Sequence, residues 1–489
     1  MARAITKYKN FILQNSVNLL LLLFCWGGFL RKSFNSDTVF HMVVDDADVM
    51  TRIEEGRYFV ALSDFILLKA GLRTTTNLSI TMLLTFIILV MAMWELQKIF
   101  HSWMPEALWG KAGFICGLDL AFLNVLFAEV FMFGESSVYF AIAYWAAAAG
   151  VRCYARKKYA GMLILYVIGV CSYQNAVVFA AIVIAFYIFL DEEMRLSCRA
   201  VRREAAGIVI CMGIGLLNFL SVKVLECLSI GVTFSKHPGA GDIGEKLADA
   251  VGHFIRLNKS GGGIFPDLWF PLIFALILWC VILYSCIWKR QLSQFLFLFI
   301  VWGGSNVLLY VIPLVQEEFT LPPRLSFCFF LVQGFLLAVA CKLSADNLKN
   351  LITFIGGSYL IVHLLFADFT VTNHFVSNTL DKVYVNMVYE EILKYESETG
   401  ITVTKLAIIK DAYAPNHYEE VAYSTDQINE RILGTATFSL IQIMTDRVFE
   451  EIEIPQQVYN KYFKDKDWDY FDLRQQLVFE NDEAYWCVF

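Results

Sequence analysis

The sequence predicts a mainly α-helical, polytopic membrane protein of about eleven transmembrane helices, with a small α/β domain at its C-terminal end. Three observations predict it. The 489 residues are 58% hydrophobic and 17% charged, with a mean hydropathy of +0.56. A soluble globular domain is about 45–50% apolar and about 25% charged. Apolar stretches of the length that crosses a hydrocarbon core recur along the chain without the period-two alternation of a barrel. From about Asp368 onward the composition turns polar.

The expected spans are 11–30, 77–94, 113–131, 136–151, 160–174, 176–190, 205–224, 268–288, 292–314, 325–342 and 349–367. Two of them, 136–151 and 160–174, are short enough to be tilted or re-entrant. The first lacks a small-residue cleavage site after it and is expected to be retained. Residues 1–367 form the membrane part and 368–489 the outer domain.

Orientation follows from the basic residues. Arg3, Lys7 and Lys9, then Arg152, Arg156, Lys157 and Lys158, then Arg195, Arg199, Arg202 and Arg203 fall on one side. Lys289, Arg290, Lys342 and Lys349 continue the series. That side is expected to be the cytoplasm, with the N-terminus in it. An odd number of spans then places 368–489 outside, in a plasma membrane. The loop 31–76 breaks the bias with six basic residues, which points to a use for positive charge there.

Within the C-terminal part, Asp381–Tyr395 has helical spacing, Gly400 is a plausible stop and Thr402–Ile409 reads as a strand. Residues 476–480 and 483–489 flank Asn481-Asp482, a hairpin signal. Ile243–Ile255 reads as an interfacial amphipathic helix with a glycine hinge at Gly261-Gly262-Gly263. That glycine run lacks the lysine of a phosphate-binding loop. The twelve cysteines are mostly within spans and show no CxxC pair, so neither a disulfide framework nor a zinc site is expected. The net charge of −7 offers no basic patch, and no nucleic-acid partner is expected. No histidine pair has HExxH spacing.

Four constellations could carry chemistry. Asp45, Asp46 and Asp48 lie about fifteen residues past the first span. If Asp45–Tyr58 is helical, Asp45, Asp48, Arg52 and Glu55 share one face and Asp46 points elsewhere. A carboxylate there could act as a general base on a hydroxyl. Asp46 and Asp48, spaced D-x-D, could instead hold a divalent cation, Mg or Mn. The competing reading is a solvated helix N-terminus, where acids suit the dipole. Arg52, Arg57 and Arg324 could clamp a phosphate through bidentate contacts. Pro322-Pro323 stiffens the backbone before Arg324, although a span-end arginine also snorkels as a matter of course. Ser172-Tyr173-Gln174-Asn175 is a polar tetrad where the chain barely leaves the membrane. Tyr173 and Gln174 could bind a sugar, or the tetrad could be a plain turn. Glu129 and Glu135 sit at or near span ends, where ionisable residues are functional candidates.

Three stretches resemble the GtrII-type membrane glucosyltransferases, a family of the GT-C class. They are Asn35-Ser36-Asp37 through Asp45-Asp46 to Gly56-Arg57-Tyr58, then Ser172-Tyr173-Gln174, and Pro323-Arg324 before a span. The resemblance covers roughly 1–367. It implies a GT-C-like fold and a polyprenyl-phosphate sugar donor. It implies an acceptor that is an outer-surface glycan or a lipid-linked glycan. By it Asp45 or Asp46 would be the base, Arg324 a partner of the donor phosphate, and the outcome inversion at the anomeric carbon. A lipid-glycan flippase or transporter, or a polysaccharide polymerase, remains the alternative.

Overall fold

The computed structural model describes residues 2–43, 48–228, 242–316, 319–410, 431–433, 435–464, 466 and 471–488. The chain is mainly helical. Among the described residues six helices are long and apolar enough to cross a membrane: Ile12–Arg31, Leu78–Ile99, Cys198–Cys227, Phe270–Trp288, Pro323–Leu343 and Leu348–Thr399. Three shorter apolar helices, Tyr159–Ser172, Ala176–Asp191 and Leu292–Leu308, accompany them.

In chain order α1 is Ala2–Trp26, and α2 (Ser36–Val43), α3 (Asp48–Glu54) and α4 (Tyr58–Lys69) follow it as short helices. Next come α5 (Leu78–Ile99), α6 (Leu108–Asp119), α7 (Ala128–Met132) and α8 (Ser137–Ala155). The chain continues with α9 (Tyr159–Ser172), α10 (Ala176–Asp191), α11 (Cys198–Cys227) and α12 (Ile243–Ser260). The remaining helices of the bundle are α13 (Phe270–Trp288), α14 (Leu292–Leu308), α15 (Val311–Val315), α16 (Pro323–Ser326), α17 (Cys328–Leu343) and α18 (Asp346–Thr399).

α10 and α17 form the centre. Every residue of α10 from Ala176 to Leu190 is buried, as is all of α17 except Lys342. A helix apolar on all faces can be buried only by neighbours on all faces, and α8, α11, α14 and α17 supply them around α10. α6 and α17 meet at Gly117 and Gly334. A Cβ on Gly334 would stand 2.1 Å from the Gly117 carbonyl oxygen. Small residues of this kind let two helix backbones touch.

Two expected spans are corrected. Residues 113–131 are not a single helix. α6 ends at Asp119, the chain turns through Leu120–Asn124, and a short 3₁₀ turn at Val125–Phe127 leads into α7. Broken backbone is tolerated at membrane depth only when protein encloses it, and residues 117–141 are all buried. Asn124 Nδ2 donates to the Leu120 carbonyl at 2.8 Å, and the Val125 N–H donates to His363 Nδ1 at 3.4 Å. The 292–314 stretch likewise divides, into α14 and α15. α3 also stops short of the expected Tyr58, for a reason given below.

α18 is continuous across 367/368 and ends at Gly400, whose φ of +71° suits glycine. Beyond it lies a small α/β region. Its four strands are β1 (Lys405–Lys410), β2 (Glu450–Glu451), β3 (Leu477–Glu480) and β4 (Glu483–Val488), in the order β2-β1-β4-β3. β1 is parallel to β2 and β4, and β3–β4 is an antiparallel hairpin turning at Asn481-Asp482. Leu406, Trp486 and Val488 pack with Val385, Val388 and Ile392 of α18 and with Leu440. Val39 of α2 belongs to that same core. α2 is therefore wedged between the helical bundle and the α/β region.

Candidate functional site

The first turn of α2 is fixed by its own sequence. Asn35 Oδ1 accepts from the Thr38 N–H at 3.0 Å, the bond of a helix N-cap. The Asn35 N–H donates to the Met132 carbonyl at 3.1 Å, and the Phe34 N–H donates to Asn378 Oδ1 at 3.0 Å. Thr38 Oγ1 donates to Glu135 Oε2 at 2.5 Å and accepts from the Gly134 N–H at 3.1 Å. These bonds turn Thr38 inward and leave Asp37 exposed on the other side of the turn.

The Asp37 carboxyl is reached by solvent, yet it lies within range of Glu135, His41, Arg324 and Arg52. Partial desolvation, then the Glu135 charge, hold it above the usual carboxylate range, while His41, Arg324 and Arg52 pull it down.

Arg57 is positioned by the end of α3. The Arg57 N–H donates to the Arg52 carbonyl at 2.8 Å and the Gly56 N–H to the Ile53 carbonyl at 2.9 Å. This is a Schellman stop, with Gly56 at φ +72°. It ends the helix at Glu54, four residues before Tyr58; Glu55 keeps the face of Arg52, pairing with it at 3.5 Å, and Arg57 turns away. Asn218 of α11 donates to the Gly56 carbonyl at 2.8 Å, and a Cβ on Gly56 would strike Asn218 Oδ1 at 2.8 Å.

Arg324 is positioned by two prolines and a buried acid. Pro322 is extended and Pro323 opens α16, the favoured place for proline in a helix. The Arg324 N–H, with no intrahelical acceptor available at that position, donates to Glu129 Oε2 at 2.6 Å. The Arg324 guanidinium donates to Glu129 Oε1 and lies over the Phe133 ring, 4.8 Å from its centroid. Asn175 Nδ2 donates to the Arg324 carbonyl at 3.2 Å. Below the loop, His253 Nε2 lies 3.4 Å from Ser326 Oγ and Nδ1 lies 3.4 Å from the Tyr310 hydroxyl. Burial, then Arg256, push His253 down to about 4, so it supports the loop as a neutral ring.

Residues from five separate stretches thus converge. Arg57 and Arg324 meet at Tyr173: Arg57 lies 5.6 Å from its ring centroid, and the Arg324 charge acts on its hydroxyl. The Arg57 and Arg324 side chains are 18% and 19% exposed. Burial lowers the Arg57 pKa, with Arg52 and Arg324 acting the same way and Glu55 opposing. An arginine so placed stays charged.

Several residues expected to contact a ligand are buried or engaged with neighbouring groups. Glu129 is fully buried and holds Arg324, so it has no surface to offer a sugar or acceptor. Glu135 is 2% exposed and bonds Thr38 and, at 2.8 Å, Ser136. Tyr173 is 3% exposed beneath the arginines. The Gln174 amide donates to the Glu55 carbonyl, tying the tetrad to the Arg57 turn. Arg52 is 6% exposed and is bound by Ser136 at 3.3 Å and Glu55 at 3.5 Å, which makes it a strut rather than a clamp. The carboxylates are buried because each neutralises or orients an arginine, something hydropathy cannot distinguish from a span-end acid.

Asp45 and Asp46 lie outside the described residues. Asp48 opens α3. Among the described residues no group of three or more His, Cys, Asp or Glu side chains is arranged to hold a metal ion. The D-x-D cation site therefore rests on sequence alone. The residue that sequence reasoning did not single out is Asp37. Its signal was present in Asn35-Ser36-Asp37-Thr38, a helix start that buries Asn and Thr and turns Asp outward.

The chain matches no protein-family model, no curated protein and no solved structure at a significant level.

Proposed function

We propose that the chain is an inverting glycosyltransferase of the GT-C type, moving a sugar, most simply glucose, from a polyprenyl-phosphate donor to an outer-surface glycan or a lipid-linked glycan. The observation that carries this reading is the exposed Asp37 carboxylate within electrostatic range of Arg324, a partly exposed arginine that buried Glu129 holds in place and that shares the Tyr173 ring with Arg57. Direct displacement needs a base for the acceptor hydroxyl and fixed cations for the leaving phosphate.

In this reading Asp37, Asp45 or Asp46 takes the acceptor proton as its oxygen attacks the anomeric carbon. The sugar–phosphate bond breaks and the polyprenyl phosphate leaves with its charge met by Arg324 and Arg57. A carboxylate held above the usual range is a better base near neutral pH. The eight groups of the cluster sum close to neutral: Arg52, Arg57 and Arg324 against Asp37, Glu55, Glu129 and Glu135, beside Tyr173. The phosphate is then received at the exposed edges of Arg57 and Arg324 rather than in a field of excess positive charge. The asymmetry of basic residues supports a cytoplasmic N-terminus and a C-terminal α/β region outside a plasma membrane. α2, packed on that region, would link it to the acceptor side.

The test is transfer of label from polyprenyl-phosphate glucose to glycan by purified protein. Asp37→Asn and Arg324→Gln are each expected to lower transfer by at least about a hundredfold. If Asp37→Asn, Asp45→Asn, Asp46→Asn and their combination all retain full transfer, no carboxylate of this loop is the base.

A further inference from the structure

α17 and the turn before it connect two ends of the molecule. At 1.5 Å per residue, Pro323–Leu343 puts about 30 Å between the Arg324 turn and Leu343. At the Leu343 end a cavity of about 630 Å³ opens, lined by α13 from Cys280 to Lys289 and by Ala345 and Leu348 at the start of α18. That is the volume of a small-ligand site, and it lies outside the cluster described above.

Four features of this cavity point to a phosphate on an apolar chain. Ser285 lines it, is 4% exposed, and its hydroxyl has no hydrogen-bond partner. A buried hydroxyl left unbonded is unfavourable, so a ligand oxygen here would be bound tightly. α18 begins at the cavity with Ala345 at its N-cap, a residue whose side chain cannot cap it. Alanine is a poor cap, and the N–H groups and positive dipole end of a long helix form an anion site. Lys289 lines the cavity, with its amine anchored on the Leu343 carbonyl. Tyr284 and Trp288 are 57% and 77% exposed with stacked rings 6.4 Å apart, the pattern of an aromatic pair at a membrane surface.

We propose that this cavity binds the headgroup of an anionic membrane phospholipid. The phosphate lies between Ser285 Oγ, the first turn of α18 and Lys289. The acyl chain runs along Cys280, Val281 and Tyr284 toward the exposed Ile277 and Leu276 of the same helix. The apolar wall open to that exposed face favours a lipid over a free anion. The site is independent of the sugar-transfer reading.

The full chain is reconstituted in phosphatidylcholine vesicles containing a minor fraction of brominated phosphatidylglycerol. The wild type is expected to lose a tryptophan emission component that Trp288→Phe lacks. Brominated phosphatidylcholine at the same fraction leaves that component in place. Ser285→Ala and the exposed Lys289→Gln are each expected to weaken the preference about tenfold, the worth of one hydrogen bond to a charged group. Equal quenching by the two lipids would overturn the proposal, as would an unchanged preference in both variants. Protection of Trp288 by millimolar inorganic phosphate would assign the site to a free anion and overturn the lipid assignment.

Discussion

Removing the carboxylate charge of Glu129 is the sharpest perturbation of the site. Glu129 is 0% exposed and accepts both the backbone N–H and the guanidinium of Arg324, whose side chain is 19% exposed. Stranding one partner of a buried pair costs about 3–5 kcal/mol. Glu129→Gln leaves the charge on Arg324, which solvent partly reaches, so a cost of about 2–3 kcal/mol is expected. Arg324→Gln strands a fully buried carboxylate and is expected to cost the full range, about 3–5 kcal/mol. The asymmetry between the two is worked from burial alone. Equilibrium unfolding in mixed micelles of both single variants and the double variant gives the coupling, expected near 2 kcal/mol. Under the proposed function, sugar transfer is expected to fall in both single variants, because Glu129→Gln frees the guanidinium from its fixed aim. A coupling below about 0.5 kcal/mol, within the error of additivity, would refute the claim that Glu129 holds Arg324. So would Glu129→Gln costing more than Arg324→Gln.

Asp37, held above the ordinary carboxylate range, gives a pH prediction with a definite sign. A carboxyl whose folded pKa is raised contributes stability below its unfolded pKa and loses it as pH rises through the folded value. Asp37→Asn is therefore expected to unfold no more readily than wild type at pH 7, while transfer is lost; marked destabilisation there would contradict the placement. Under the proposed function, transfer by the wild type is expected to fall as pH drops through the raised pKa, and Arg52→Gln, by removing a charge that lowers it, is expected to move that limb to higher pH. An unmoved limb would show that Asp37 is not the titrating base. Gly334→Ala presses a methyl onto the Gly117 carbonyl and is expected to destabilise by about 1–3 kcal/mol. Gly357→Ala, where nothing stands within 4 Å of the added carbon, is expected to be neutral in the same unfolding measurement.

The long apolar helices were legible because twenty apolar residues have one common physical solution. The Asn481-Asp482 hairpin and the Gly400 stop were legible because turn chemistry is local. The break within 113–131 was not. Its residues are nearly as apolar as a span, and the interrupted backbone is satisfied by local turns and Asn124 together with the distant Trp26 and His363, which hydropathy does not reveal. Gly56 shows the same limit on a smaller scale. Read along the sequence, Gly56-Arg57-Tyr58 extends a helix, but the left-handed glycine and Asn218 of a distant helix end it and turn Arg57 toward Tyr173. At the site, residue types and stretches were legible, since arginines, acids and the tetrad do meet. Their roles were not, because burial decides them. Glu129, Glu135 and Tyr173 looked like ligand contacts and are buried among their neighbours, whereas Asp37, beside a louder run of three acids, is exposed.

The most direct test of the account is the fate of the sugar–phosphate bond. Purified protein is given polyprenyl-phosphate glucose labelled in the sugar, together with a glycan acceptor. The account predicts label on the acceptor with inverted anomeric configuration, release of unlabelled polyprenyl phosphate, and loss of both when Arg324 is replaced by Gln. Label that stays on the polyprenyl phosphate, or that crosses the bilayer with the bond intact, would contradict it.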